Sequence, residues 1–304
     1  MSTPRTHAVR RVDLVLSLLV TLAWGVNYTV MKAVVSNFPP ISFRALTFLF
    51  GLLFIGLYGI SRREHFRVAR EEWGLVLRIS FFNMVLWHLG LIVSLTLLNS
   101  GRAAIVGYTM PVWALLTSVI VYKAKMTVRA AIGVLLALCA TYLLAIDEFR
   151  KFTGEPLGLA LILGAAICWG IGNAMVKHNS LAVSSVVLNF WSLAIAFFLS
   201  TILAAVVEQS LWRAPTVMEW IGIFYNGAIV LALGYVAWFT VARRLSAVSS
   251  GLSIMFVPMV AVFGGAIWLS EPITATDLLA LAFILAAMAS VLLPGRAGAK
   301  APAD

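Results

Sequence analysis

Two nine-residue stretches carry the side chains best suited to holding a small solute: WGVNYTVMK, Trp24 to Lys32, and WGIGNAMVK, Trp169 to Lys177. On a helix Trp24, Asn27, Tyr28 and Met31 stand at i, i+3, i+4 and i+7 and so share one face. Trp169, Gly172, Asn173 and Val176 form the matching stripe 145 residues later. An amide can hydrogen-bond either end of a polar solute, while an indole or phenol face accepts an apolar group or a cation. Each asparagine lies inside an apolar segment, where an unpaired amide is costly against lipid, so its face must look at protein or water. A plain bond to a neighbouring helix is the simpler alternative, worth only ~0.6 to 2 kcal/mol.

The segments that position these stripes are membrane helices. Of 304 residues 62% are apolar and 11% charged, and the mean hydropathy is +1.00, too little charge to coat a soluble protein of this size. Ten stretches lack Asp, Glu, Lys and Arg: 14–31, 45–61, 79–101, 103–122, 130–146, 156–176, 178–207, 220–242, 245–270 and 278–295. At ~1.5 Å per residue each covers most or all of a ~30 Å hydrocarbon core. The expected fold is therefore an all-α membrane protein of ten transmembrane helices.

The formal net charge of +10 is distributed by side rather than gathered into a nucleic-acid surface. With a cytoplasmic N-terminus, fifteen basic residues fall on inner segments, among them Arg62, Arg63, Arg67, Arg70, Lys123, Lys125 and Arg129, against five on outer ones. The positive-inside rule then places both termini in the cytoplasm. The first apolar run has no small-residue cleavage site and reads as a helix rather than a cleaved signal. Cys139 and Cys168 are isolated within apolar runs and form neither a metal site nor a disulfide framework, so no cofactor is expected.

The second half echoes the first beyond the Trp-Gly stretches. Leu98 to Pro111, LNSGRAAIVGYTMP, is matched by Leu245 to Pro258, LSAVSSGLSIMFVP, and Thr127 corresponds to Thr274 at the same offset of 147. Two repeats, 1–146 and 147–304, follow. Five crossings per repeat start the second copy on the opposite side of the membrane, so the repeats are inverted. Charge agrees: Lys123, Lys125 and Arg129 follow the fourth run, whereas Glu271 and Asp277 follow the ninth.

Other runs add polar and aromatic groups. The third carries Asn83, Trp87 and His88, the fourth Tyr108 and Pro111, and the eighth Tyr235 and Trp238. Trp87 and Trp238 could equally be interfacial anchors. Pro111 and Pro258 should bend their helices, and Gly25 and Gly170 of the Trp-Gly pairs are further hinge candidates. Arg44, in the first turn of the second helix, either snorkels to the headgroups or faces inward, and snorkelling is the simpler expectation. The fifth helix reads as scaffold.

The Trp-Gly pair in the first helix of each half, the regions ending at Pro111 and Pro258, and Glu271-Pro272-Ile273-Thr274 resemble the EamA-type repeat of the drug/metabolite transporter superfamily, over essentially the whole chain. The first half departs from it, reading YKAKMT where an acidic residue is usual, which lowers the functional weight of Glu271. WGVNY, the histidine of the third run and the abundant aromatics look most like YddG-type exporters of aromatic amino acids. The resemblance implies a ten-helix monomer in the bacterial inner membrane that releases amino acids from the cytoplasm.

Substrate-binding candidates are Trp24, Asn27, Tyr28, Asn83, His88, Tyr108, Trp169, Asn173, Tyr235 and Trp238. No acidic residue lies in any of the ten runs, so a buried carboxylate is not offered as a proton carrier. His88 could titrate, but a neutral hydrogen-bonding role is the simpler one, and facilitated export is expected. A membrane enzyme would need paired carboxylates or a His-rich cluster within the spans, which the runs lack. A channel would need a ring of like residues from several subunits. The alternative is a drug or metabolite exporter of the same fold. Lys32 and Lys177, at equivalent positions, keep a phosphorylated cargo open, although snorkelling explains them more simply.

Overall fold

A computed structural model describes residues 11–150, 155–238 and 254–292. Leu245 of the second repeat motif, and the basic residues Arg5, Arg10, Lys151, Arg243, Arg244, Arg296 and Lys300, lie outside the described residues. Among the described residues the chain is helical with no strand. Eight helices are long and apolar enough to cross a membrane: α1 (Arg11–Val35), α2 (Pro40–Ser61), α3 (Trp73–Leu97), α4 (Ser100–Ile120), α5 (Val128–Arg150), α6 (Pro156–His178), α7 (Ser185–Val207) and α8 (Val217–Trp238). Two shorter apolar helices follow, α9 (Val257–Leu269) and α10 (Ala275–Leu292). Side chains on the outer face are apolar, as at Leu57, Val206 and Ile267, which suits lipid as the surrounding solvent.

The helices pack in a pattern with an internal order. α5 packs along α10, α2 along α7 and α4 against α9, so each meets the helix five places on. The other main contacts come in twos: α3 with α6 and α8 with α1, α4 with α6 and α9 with α1, α2 with α8 and α7 with α3. Replacing every helix by the one five places away turns this set into itself.

Where helices start, carboxylates from elsewhere satisfy the free N–H groups that every helix leaves at its first turn. Glu208, at the end of α7, accepts from the backbone of Ile41 (2.9 Å) and Ser42 (2.7 Å) and from the Ser42 hydroxyl (2.7 Å) at the start of α2. At the opposite end of the same pair, Ser184 before α7 donates to Glu64 after α2 (2.9 Å). Glu271 accepts from the backbone N–H (2.9 Å) and hydroxyl (2.7 Å) of Ser100 and so caps α4. Arg102 ties α4 to α5 and α10 through Asp147, Glu148 and Asp277.

The two prolines and the two Trp-Gly glycines behave differently. α4 breaks at Tyr108–Thr109 just before Pro111, and the turn at Phe256 just before Pro258 is its counterpart, so both prolines begin a new helical segment. α1 and α6 run unbroken through Gly25 and Gly170. A Cβ on Gly25 would lie 2.4 Å from Val260 Cβ, and one on Gly170 would lie 2.5 Å from Trp113 Cβ and 2.6 Å from Ala114 N. These glycines permit the close crossings of α1 with α9 and of α6 with α4. The spacing of residues gave no sign of two π-helical segments, Phe81–Leu86 within α3 and Tyr225–Gly234 within α8.

Two consequences are measurable as thermal midpoints of the purified protein. Gly170→Leu should destabilise by at least the ~1 to 3 kcal/mol typical of overpacking, whereas Gly164→Ala in the same helix, where an added Cβ meets nothing within 4 Å, should be neutral or stabilising. Glu208→Ala should cost ~1 to 3 kcal/mol by stranding the buried donors of Ser42 and the half-buried one of Ile41, and Glu208→Gln less.

Candidate functional site

A cavity of about 320 Å³ lies at the centre of the bundle, walled by α1, α2, α3, α4, α6, α7 and α8. α5 and α10 contribute no residue to it; they pack on each other beside it. All ten candidates named from sequence, Trp24, Asn27, Tyr28, Asn83, His88, Tyr108, Trp169, Asn173, Tyr235 and Trp238, line this one cavity, and Trp87 does so too. Trp87 and Trp238 therefore both face the cavity.

Aromatic rings form much of the wall. Trp24 lies 5.8 Å, ring centre to ring centre, from both Tyr235 and Trp238, and Trp87 lies 6.4 Å from Trp169. Gly107 makes room on α4: a Cβ there would stand 3.1 Å from the Tyr28 hydroxyl and 3.2 Å from the Trp87 ring. The His88 Nδ1 lies 3.0 Å from the Met84 carbonyl, which accepts only, so the proton sits on Nδ1.

The amides pair across the two halves. Asn226 of α8 donates to Asn27 of α1 (2.7 Å), and Asn83 of α3 donates to Asn173 of α6 (3.1 Å). These pairs exchange under the five-place replacement, and each places a π-helical asparagine against a Trp-Gly helix. Gly172 stands three residues after Trp169, as Asn27 does after Trp24, and a Cβ on it would meet the Asn83 amide at 1.9 Å. The bland alternative for Asn27 and Asn173, an interhelical hydrogen bond, is thus real and coexists with their place in the wall.

Sequence reasoning missed five polar wall residues, Arg44, Ser185, Asn189, Ser192 and Asn226. Arg44 does not snorkel: it is 1% exposed and lines the cavity. Its guanidinium donates to Asn226 Oδ1 (3.0 Å) and Met31 Sδ (2.7 Å). The first turn of α2 is covered by the segment after α7, with Glu208 on its backbone and Trp212 donating to the Ser42 hydroxyl (3.0 Å). Asn226 and Asn189 also line the cavity, as does Ser192, which bonds the Ser80 hydroxyl (2.8 Å). One signal was available: Asn189 stands 145 residues after Arg44, the offset of the Trp-Gly repeat. Lys32 donates to the Leu95 carbonyl (2.7 Å) at the end of α3 and Lys177 is exposed, so neither lines the cavity.

The cavity is bounded differently at its two ends. Arg44, Met31, Asn27 and Asn226 close it toward the Lys32–Leu95 contact. Toward the other end its wall continues through Ile79, Val176, Ser185, Leu188 and Ile254, near the chain ends of α6 and the starts of α3 and α7. Four buried polar atoms in the wall have no hydrogen-bond partner: Trp24 Nε1, Arg44 Nε, Asn83 Oδ1 and Asn189 Nδ2. A mostly apolar chamber with a few convergent donors and acceptors suits a small amphipathic solute.

The chain is similar to known transporters. The description of the EamA-like transporter family matches the chain twice, over residues 12–146 and 156–293. The uncharacterized transporter YoaV of Bacillus subtilis strain 168 is 26% identical over 260 residues, covering 84% of this chain and 88% of that protein. A probable amino-acid metabolite efflux pump of Escherichia coli K12 is 23% identical over 287 residues, covering 90% and 93%. Its namesake in Salmonella typhimurium LT2 is 25% identical over 289 residues, covering 91% and 94%. A crystal structure 19% identical in sequence superposes with a TM-score of 0.68 over 94% of this chain and 99% of the other, a likeness of fold. The chain is a multi-pass membrane protein and belongs to the EamA-like transporter family.

Proposed function

We propose that the protein exports amino acids, aromatic and other neutral ones, from the cytoplasm across the bacterial inner membrane by alternating access, without coupling to an ion. The observation that carries this reading is the central cavity, whose wall combines indole and phenol faces with asparagine amides and, among the described residues, holds no acidic side chain. Aromatic faces accept an apolar side chain or an ammonium, and amides serve either end of a zwitterion. The names of the two efflux-pump relatives point the same way. Trp24, Asn27, Tyr28, Asn83, His88, Tyr108, Trp169, Asn173, Tyr235 and Trp238 are its substrate-contacting residues.

In this reading the chain makes ten crossings as two inverted repeats, 1–146 and 147–304, and works as a monomer with both termini in the cytoplasm. Support comes from the packing pattern that survives the five-place exchange and from the family match in two copies. The basic segments Arg62 to Arg70 and Lys123 to Arg129 then mark the cytoplasmic side, toward which the cavity wall extends, so this conformation faces inward. Pro111 and Pro258 mark the flexible breaks, while Gly25 and Gly170 are the close contacts about which α1 and α6 rock. The cargo of a different EamA-type exporter, a drug or another small metabolite, would fit the same apolar chamber and is the second reading.

Proteoliposomes decide between them. Counterflow of labelled Phe, Trp, Thr and Met should be saturable, indifferent to an imposed pH gradient, and reduced at least about tenfold in Trp169→Ala, which removes one stacking face worth ~0.5 to 1.5 kcal/mol beyond its area. A folded protein that moves no amino acid overturns the cargo and leaves the second reading. Flux that rises with the gradient overturns the uncoupled mechanism.

A further inference from the structure

Arg44 poses an electrostatic problem that the protein alone does not solve. Its side chain is 1% exposed, well inside the bundle, and lines the cavity. The partners of its guanidinium are the neutral amide oxygen of Asn226, the thioether of Met31 and the face of the Phe43 ring, whose centre lies 5.6 Å away, with Nε left without a hydrogen-bond partner. An amide and a thioether accept hydrogen bonds but carry no charge to offset a cation. Among the described side chains, the acidic ones lie at one end or the other of the bundle, from Glu64, Glu71 and Glu72 to Glu271 and Asp277. None lines the cavity. Buried charges in proteins are ordinarily paired, because removing an ion from water costs several kcal/mol that only an opposite charge and hydrogen bonds recover.

The contrast with Arg102 makes the point. Arg102 is equally buried at 3% exposure, yet it meets Asp147, Glu148 and Asp277. The same chain therefore pairs one buried arginine with three carboxylates and leaves the other without any. The position 145 residues after Arg44 is Asn189, also in the cavity wall and with an unpartnered Nδ2. Pseudo-equivalent positions on α2 and α7 thus both present donors, one charged and one neutral. A planar guanidinium fork is matched in shape and charge by a carboxylate.

We propose that Arg44 is the anion-binding residue of the cavity and recognises the carboxylate of the cargo, so that the site selects organic acids and treats an ammonium as optional. This rests on the cavity being the cargo site and narrows the cargo within that reading. The carboxylate supplies the charge that Arg44 lacks, while the ammonium of an amino acid has only neutral acceptors and aromatic faces. Loading the site therefore neutralises the charge that Arg44 places in its wall, which gives the bound state a physical reason to differ from the empty one.

The test uses three probes with the same aromatic group, titrated calorimetrically at neutral pH into the purified protein in lipid nanodiscs. They are L-phenylalanine, 3-phenylpropionate with the carboxylate alone, and 2-phenylethylamine with the amine alone. Phenylalanine and phenylpropionate should bind and phenylethylamine should not. Arg44→Gln should weaken both carboxylate probes about 10- to 100-fold, the range for a hydrogen bond to a charged group, and Arg44→Lys less. Phenylethylamine binding as tightly as phenylpropionate overturns the proposal, as does undiminished phenylpropionate binding in folded Arg44→Gln, or no binding of either carboxylate probe. The ranking in the unmodified protein decides the matter even where Arg44→Gln does not fold. Phenylpropionate held through Arg44 while phenylalanine is ignored keeps the anion site and sinks the amino-acid reading. Phenylalanine held regardless of Arg44 does the reverse.

Discussion

The amide of Asn226 holds the centre of this protein together. It donates to Asn27 on α1 while its own oxygen accepts from Arg44 on α2, so one side chain on α8 joins three helices in the middle of an apolar bundle. Lipid can satisfy none of these groups, and each would be costly to bury unpaired. The contact also defines one end of the chamber, and what lies beyond it, the Lys32–Leu95 contact and the Glu208, Glu271 and Arg102 clusters, is a series of polar ties at a single end. Toward the opposite end the wall continues through Ile79, Val176, Ser185, Leu188 and Ile254, all but Ser185 apolar. The chamber is closed by hydrogen bonds and ion pairs at one end, and at the other its wall continues as mostly apolar side chains.

The repeat explains how much of this was legible in the chain. Trp24 and Trp169 share a spacing with their lysines, and a helical face drawn through each collected the α1 and α6 parts of the wall, which lie at one cavity. Arg44 was misread for a specific reason. Four residues after Pro40, a cation reads as lying at the membrane surface, and only the fold places Glu208 and Trp212 over that turn. Glu271, whose functional weight was lowered on sequence grounds, is a helix cap for α4. Asn226 was hidden by a different effect. Tyr225–Gly234 winds as a π-helix, which turns less per residue than the 3.6-residue period on which such faces are drawn, so its polar position falls out of register with Tyr235 and Trp238.

The same departure from α geometry recurs in α3, where Phe81–Leu86 contains Asn83 and Met84. π segments often mark functional sites because they widen the helix and redirect side chains. Here both segments present an asparagine to the Trp-Gly helix of the other half, at Asn27 and at Asn173. The glycines of the two Trp-Gly pairs have an equally concrete use, since Gly25 and Gly170 let those helices cross α9 and α4 with almost no side chain between them.

The central claim is that this chamber holds the cargo and is reached from the cytoplasm. Its most direct test is the labelling of Asn189→Cys, in a Cys139→Ser, Cys168→Ser background, by a membrane-impermeant maleimide in inside-out and right-side-out vesicles. The account predicts rapid labelling in inside-out vesicles that saturating phenylalanine slows, and slow labelling in right-side-out ones. Labelling from the outside alone, or labelling that no amino acid protects against, would contradict it.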